Sequence, residues 1–181
     1  MNNNIIPIAN HAAGSRAVLS ILLLSLILTV SVQANAQETI QLADGSELQV
    51  FLQRPAATTD QPSPLVVLMG GGTGNAAISR DTSLWLGSGF ASRGWMVAVP
   101  VSPNNRAFRG AHNNGLIALL IDELQKRDYI AGGKVLLAGI SNGGLSALEI
   151  ARRNPDRYAG VVAVPAISRS LADNEPLAGF P

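Results

Sequence analysis

The sequence contains no cysteine among its 181 residues. Without cysteine the chain can form neither a disulfide framework nor a lipid-attachment site on a mature N-terminus. Histidine is almost as scarce, because His11 and His112 are the only two in the sequence. His112 is the only histidine in residues 37–181, and one histidine without any cysteine cannot build a usual metal site, so we expect no metal centre.

A strong excess of charge of either sign is missing as well. The chain has 13 Lys and Arg against 12 Asp and Glu. Arg16 is the only charged residue in 1–36, so residues 37–181 carry 12 charges of each sign. Because these charges are interspersed, they provide no electrostatic basis for binding nucleic acid or an anionic membrane surface.

The first 36 residues have the pattern of a secretory signal peptide. After Arg16, the run Ala17 to Val32 carries no charge, and a small-x-small sequence, Ala34-Asn35-Ala36, follows it. The run is shorter than the ~20 residues that a spanning helix usually needs. We therefore expect removal of residues 1–36 on export to the periplasm or outside the cell, with no stable membrane anchor after cleavage. An uncleaved anchor is the alternative.

Residues 37–181 are long enough for one domain, in which strands and helices are predicted to alternate. Asp44-Gly45 between two partly alternating segments predicts an antiparallel hairpin, Glu38–Ala43 with Glu47–Gln53. Short apolar runs predict strands, and a 3.6-residue period predicts the helices between them. The predicted strands are 64–69, 95–99, 135–138 and 158–164; the helices are 82–93, one capped by Asn113 or Asn114, and one after residue 141. This alternation predicts a mostly parallel sheet with helices on both faces.

The sequence between the third of these strands and its helix is Gly139-Ile140-Ser141-Asn142-Gly143. In this GxSxG pattern the serine stands on a strained strand-to-helix turn, where crowding requires glycine on both sides. The Ser141 hydroxyl would project above the strand ends, and the N–H of Asn142 would point to where an oxyanion could form. A glycine-rich turn with an incidental serine is the alternative interpretation.

A second glycine-rich segment, Gly70 to Asn75, follows the strand 64–69. The spacing Gly72-x-Gly74-x-x-Ala77 is compatible with a dinucleotide fingerprint. However, no acid follows the next strand to hold a ribose, and no P-loop lysine follows the glycines. The other interpretation is an oxyanion loop, in which Gly71, or else Gly72, donates a backbone N–H to the substrate carbonyl oxygen.

The span from about Pro64 to Ile167 resembles the α/β-hydrolase fold. It is similar in particular to small secreted or periplasmic esterases of the phospholipase/carboxylesterase and polyhydroxyalkanoate-depolymerase type, although Met69 stands where many members have histidine. The resemblance implies that Ser141 is the nucleophile and that the N–H groups of Asn142 and Gly71 form the oxyanion hole. The implied reaction is hydrolysis of a small-molecule or lipid ester through an acyl-serine, without a cofactor. Ester, thioester and peptide substrates are not distinguished.

In hydrolases of this kind an acid and then a histidine follow the serine, and the sequence reaches Pro181 before showing such a pair. His112 is a candidate base and Asp173 a candidate acid; a surface or capping histidine and a solvated carboxylate are the alternatives. We expect residues 37–181 to be an incomplete α/β-hydrolase domain, truncated after the strand that follows the nucleophile helix, and impaired as a carboxylesterase. A non-catalytic hydrolase-fold remnant or binding module is the alternative.

Overall fold

A computed structural model of the chain describes residues 36–57 and 60–164. The expected signal peptide lies outside the described residues except for Ala36, and the candidate acid Asp173 also lies outside them. Within the described ranges, none of the helices has both the length and the apolar character that crossing a bilayer requires.

The described residues form a six-stranded sheet, in which the last four strands along the chain pair with one another in parallel. In chain order the strands are β1 Ala36–Gln41, β2 Glu47–Gln53, β3 Leu65–Met69, β4 Met96–Pro100, β5 Val135–Ile140 and β6 Tyr158–Val164. Their spatial order is β1-β2-β4-β3-β5-β6, and β2 pairs with both β1 and β4 in antiparallel fashion. The predicted mostly parallel sheet and its hairpin are therefore confirmed.

Helices cover both faces of this sheet, as predicted. The helical segments are α1 Ala76–Thr82, a π-helical turn Ser83–Gly87, α2 Ser88–Ala91, α3 Ala111–Leu124, α4 Asn142–Arg153 and a 3-10 turn Pro155–Arg157. Side chains alternate along a strand, so β3 sends Leu65, Val67 and Met69 into the core beneath α3 and α4. Val66 and Leu68 enter the opposite core together with Ala91 of α2. Strands buried on both faces explain why the sequence shows continuous apolar runs there.

The helix predicted over 82–93 begins earlier, so its predicted start is wrong. The Asn75 side chain accepts a hydrogen bond from the Ile78 N–H at 3.0 Å, and this cap starts α1 directly after the glycine loop. The observed end of this helical segment at Ala91 lies within two residues of the predicted end, and Gly94 beyond it has a φ of +89° and donates its N–H to the Ala91 carbonyl.

The predicted cap of α3 is also wrong. The helix begins at Ala111, and Asn113 and Asn114 are buried within its first turns. The Asn113 amide donates to the Arg109 carbonyl at 3.0 Å and exchanges hydrogen bonds with the Asn104 side chain. The Asn113 side chain therefore bonds Asn104, nine residues earlier in the sequence, instead of capping the helix.

Candidate active site

Ser141 occupies the junction between β5 and α4, and its backbone has a conformation that residues other than glycine rarely adopt. Its φ is +49° and its ψ −118°, and the residue is exposed to solvent. A non-glycine residue with this backbone is strained, and such strain persists only where the surroundings hold it in place. The strand, the sharp turn at the serine and the helix after it all agree with the geometry predicted from GxSxG.

The glycines on both sides of Ser141 are required by backbone contacts. A Cβ added to Gly139 would lie 2.3 Å from the backbone C and O of Gly143. A Cβ added to Gly143 would lie 2.2 Å from the carbonyl oxygen of Met69, at the end of β3. The serine turn is therefore wedged between its own strand and the neighbouring one, and no side chain fits at either position.

The glycine loop after β3 lies against the serine turn. A Cβ added to Gly71 would lie 3.6 Å from the Cβ of Ser141 and 3.2 Å from the Ile140 carbonyl oxygen. Gly72 and Gly74 have φ values of +56° and +65°, which bend the loop back over the strand end. The structure thus brings together Ser141, Asn142, Gly71 and Gly72, as the sequence predicts.

Backbone donors beside the serine remain available to a ligand. Within the residues that the structure describes, the N–H groups of Gly71, Gly72 and Asn142 donate no hydrogen bond to the protein. The Ser141 N–H is not available, since it donates to the Val164 carbonyl at 2.9 Å. Two free N–H groups from separate segments next to a nucleophile are the arrangement that stabilises an oxyanion.

His112 lies in the first turn of α3, although the predicted cap at Asn113 or Asn114 would place it before the helix. In that turn its side chain is exposed.

A hydrogen bond connects the residue before α3 with α4. The N–H of Gly110, which precedes α3, donates to Glu149 at 3.3 Å. Glu149 stands eight residues after Ser141, or about 12 Å along the helix. In the described part of the chain no hydrogen bond joins Ser141 to a histidine, and no group of acidic, histidine or cysteine side chains could hold a metal ion.

An apolar groove begins beside the serine turn and follows the α1–α2 face of the sheet. It encloses about 600 Å³ and is lined by Gly71, Ile140 and Val164 beside Ser141, and also by Trp85, Leu86 and Val162. Trp85 is 85% exposed. The sequence contains a signal for this groove in Leu84-Trp85-Leu86. Three consecutive apolar residues on a helix cannot all face one core, so at least one of them is left exposed.

Three solved structures similar to this fold are described as an α/β-hydrolase fold protein or as hydrolases. An α/β-hydrolase fold protein from Nakamurella multipartita is 23% identical with a TM-score of 0.54, and the match covers 74% of this chain and 42% of that one. The fluorophosphonate-binding serine hydrolase F of Staphylococcus aureus is 17% identical with a TM-score of 0.62, covering 82% and 64%. The S-formylglutathione hydrolase of the same organism is 17% identical with a TM-score of 0.61, covering 80% and 63%. Identities this low show the fold alone.

The chain spans between 42% and 64% of the length of these three structures. No curated protein matches it in sequence. The family described as "Putative esterase" matches residues 43–173, which is well over half of the chain and includes both glycine motifs. Together with the fold, this match supports a serine hydrolase of general kind. The chain belongs to this esterase family.

Proposed function

We propose that this domain is built for carboxylesterase-type acyl transfer to water, with Ser141 as the nucleophile. The observation that carries the proposal is the strained, exposed Ser141 placed against a glycine loop with free N–H groups. The Ser141 oxygen would attack the ester carbonyl carbon while a base takes its proton. The negative oxygen would lie between the N–H groups of Asn142 and Gly71, the alcohol would leave with a proton, and water would hydrolyse the acyl-serine.

The position of the glycine loop supports this reaction over nucleotide binding. Gly71 lies against Ser141, so the free N–H groups of the loop serve the same small volume as the hydroxyl. A small-molecule or lipid ester is the substrate that suits such a site. The reaction needs no cofactor, since nucleophile and oxyanion donors are the chain's own groups.

We propose further that residues 37–181 are impaired as a carboxylesterase. Within the described residues no imidazole is hydrogen-bonded to Ser141, and a serine hydroxyl without a base is a weak nucleophile at neutral pH. His112 as base and Asp173 as acid therefore stay predictions. A binding module that keeps the fold is the second candidate, favoured by the apolar groove of about 600 Å³ beside the serine.

A fluorophosphonate probe tests the hydrolase proposal. The Ser141 oxygen would form a bond to phosphorus while fluoride leaves, and the proton would pass to a base in solution. We expect slow labelling of the purified chain at Ser141, a clear acceleration on adding imidazole, and no label on that peptide in Ser141→Ala. Peptide mass spectrometry measures the site.

Ser92→Ala is the matched control, because Ser92 is an exposed serine at the end of α2. It should label at the rate of the unchanged chain. Label spread over several serines, or Ser141→Ala labelled as fast as the unchanged chain, would leave the binding module as the better account.

We propose that the chain is exported, on the apolar run and the Ala34-Asn35-Ala36 site. Cleavage after Ala36 would leave β1 with its pairs from Gln37–Phe51 to Gln41–Glu47. The intact mass of the exported protein should therefore begin at Gln37. A membrane-bound mature protein that retains residues 1–36 would contradict this prediction.

A further inference from the structure

The carbonyl groups of the loop Gly71 to Gly74 are all held by hydrogen bonds. Three of these bonds come from backbone N–H groups and two from side chains, one of which is the Ser79 hydroxyl bonded to the Gly74 carbonyl at 3.2 Å. The carbonyl of Gly71 accepts from Gly74 N–H at 2.9 Å, Thr73 from Ala107 N–H at 3.1 Å, Gly74 from Ser102 N–H at 2.8 Å, and Gly72 from the Asn142 side-chain amide at 2.9 Å. With their carbonyls engaged, the peptide planes of this loop have fixed orientations.

The Asn142 bond differs from the others in what it connects. In the described ranges it is the only hydrogen bond between the loop 71–74 and the serine turn, and it joins residues 70 positions apart in the sequence. Asn142 is the first residue of α4, where side chains often serve the helix end. Its amide nitrogen instead reaches across to the loop, next to its own free backbone N–H.

We propose that the Asn142 side chain is a positioning residue for the oxyanion hole. Asn142 supplies one oxyanion donor with its backbone, and its side chain holds the loop that supplies the other. The loop has glycine at 71, 72 and 74, so without this bond the Gly72 carbonyl is no longer held, in a segment whose residues have wide conformational freedom. Oxyanion donors act only when they lie about 2.7–3.1 Å from the developing charge, so a small loop displacement removes much of their effect.

Two substitutions test this role, and the inference rests on the proposed function. Asn142→Asp keeps the shape of the side chain but removes the donor, and Asn142→Leu removes the donor without adding charge. Each should slow imidazole-assisted fluorophosphonate labelling of Ser141 by about tenfold or more, because the Gly71 donor is misplaced. Gln41→Ala is the matched control, since the exposed Gln41 amide also donates to a glycine carbonyl, that of Gly45, at 3.1 Å in the distant hairpin.

Amide hydrogen exchange tests the same contact without any reaction. In both Asn142 variants the N–H groups of Gly74 and Ala107, whose acceptors lie in the loop, should exchange about tenfold faster. The N–H of Leu145, which bonds the Ser141 carbonyl inside α4, should exchange at its original rate. A general loss of stability would accelerate all three, which separates positioning from folding.

The two readouts keep the inference apart from the proposed function. If the unchanged chain is not labelled even with imidazole, the proposed function fails, and exchange alone decides the role of Asn142 in holding the loop. Exchange at Gly74 and Ala107 that does not change in the variants overturns the inference. Labelling of both variants at the rate of the unchanged chain overturns it as well.

Discussion

Replacing Gly143 by alanine is expected to prevent the domain from folding. The new Cβ would lie 2.2 Å from the Met69 carbonyl oxygen and 2.5 Å from that of Gly70. Both atoms are backbone at the end of β3, a central strand whose five residues are all buried, so neither can move aside cheaply. The loss should exceed about 4–5 kcal/mol, which is comparable with the roughly 5–15 kcal/mol of total stability of a typical domain.

Urea unfolding followed by circular dichroism, together with the soluble yield, measures this loss. Gly115→Ala is the matched control, because Gly115 lies within α3 and an added Cβ meets nothing within 4 Å. That change should stabilise the chain by about 0.5–1 kcal/mol, since alanine favours the helix over glycine. A folded Gly143→Ala protein with the original unfolding midpoint would mean that the serine turn does not pack against β3 as described.

Ester hydrolysis by the purified chain is expected to fall several orders of magnitude below that of a serine esterase with a complete triad. Dissection of such triads leaves only ~10³–10⁴-fold catalysis over water, from the oxyanion hole and binding. Here Ser141 has free N–H groups beside it but no imidazole from the described residues. Ser141→Ala should therefore barely change the hydrolysis of p-nitrophenyl acetate.

His112→Ala is the informative partner of this experiment. His112 is exposed at the start of α3 and makes no hydrogen bond to Ser141 within the described residues, so we expect no change in turnover. Brisk turnover that Ser141→Ala abolishes would instead require a base within the chain. If His112→Ala then abolished it too, the imidazole would have to reach the serine in a conformation other than this one.

Local sequence patterns predicted most of the sheet and the serine turn. The strands at 64–69, 95–99 and 158–164 lie within one residue of β3, β4 and β6, because each is a short apolar run bounded by turn residues. The hairpin at Asp44-Gly45 was also predictable from neighbouring residues, because its turn needs a residue with positive φ and Gly45 has a φ of +85°. The helix starts at Ala76 and Ala111 were missed because each follows a loop that tertiary contacts shape.

The sequence by itself determined the fold class and the strand-to-helix turn at Ser141, because strand length, glycine spacing and apolar period are properties of neighbouring residues. Only the tertiary structure decided which groups meet at the serine. The order β4-β3-β5 puts the ends of β3 and β5 side by side, so the Asn142 amide reaches the Gly72 carbonyl across 70 residues of sequence. The same strand order separates the β1–β2 hairpin from β5 by two strands, β4 and β3. Local pattern encodes local conformation, whereas these distances follow from strand pairing, which joins residues far apart in the chain.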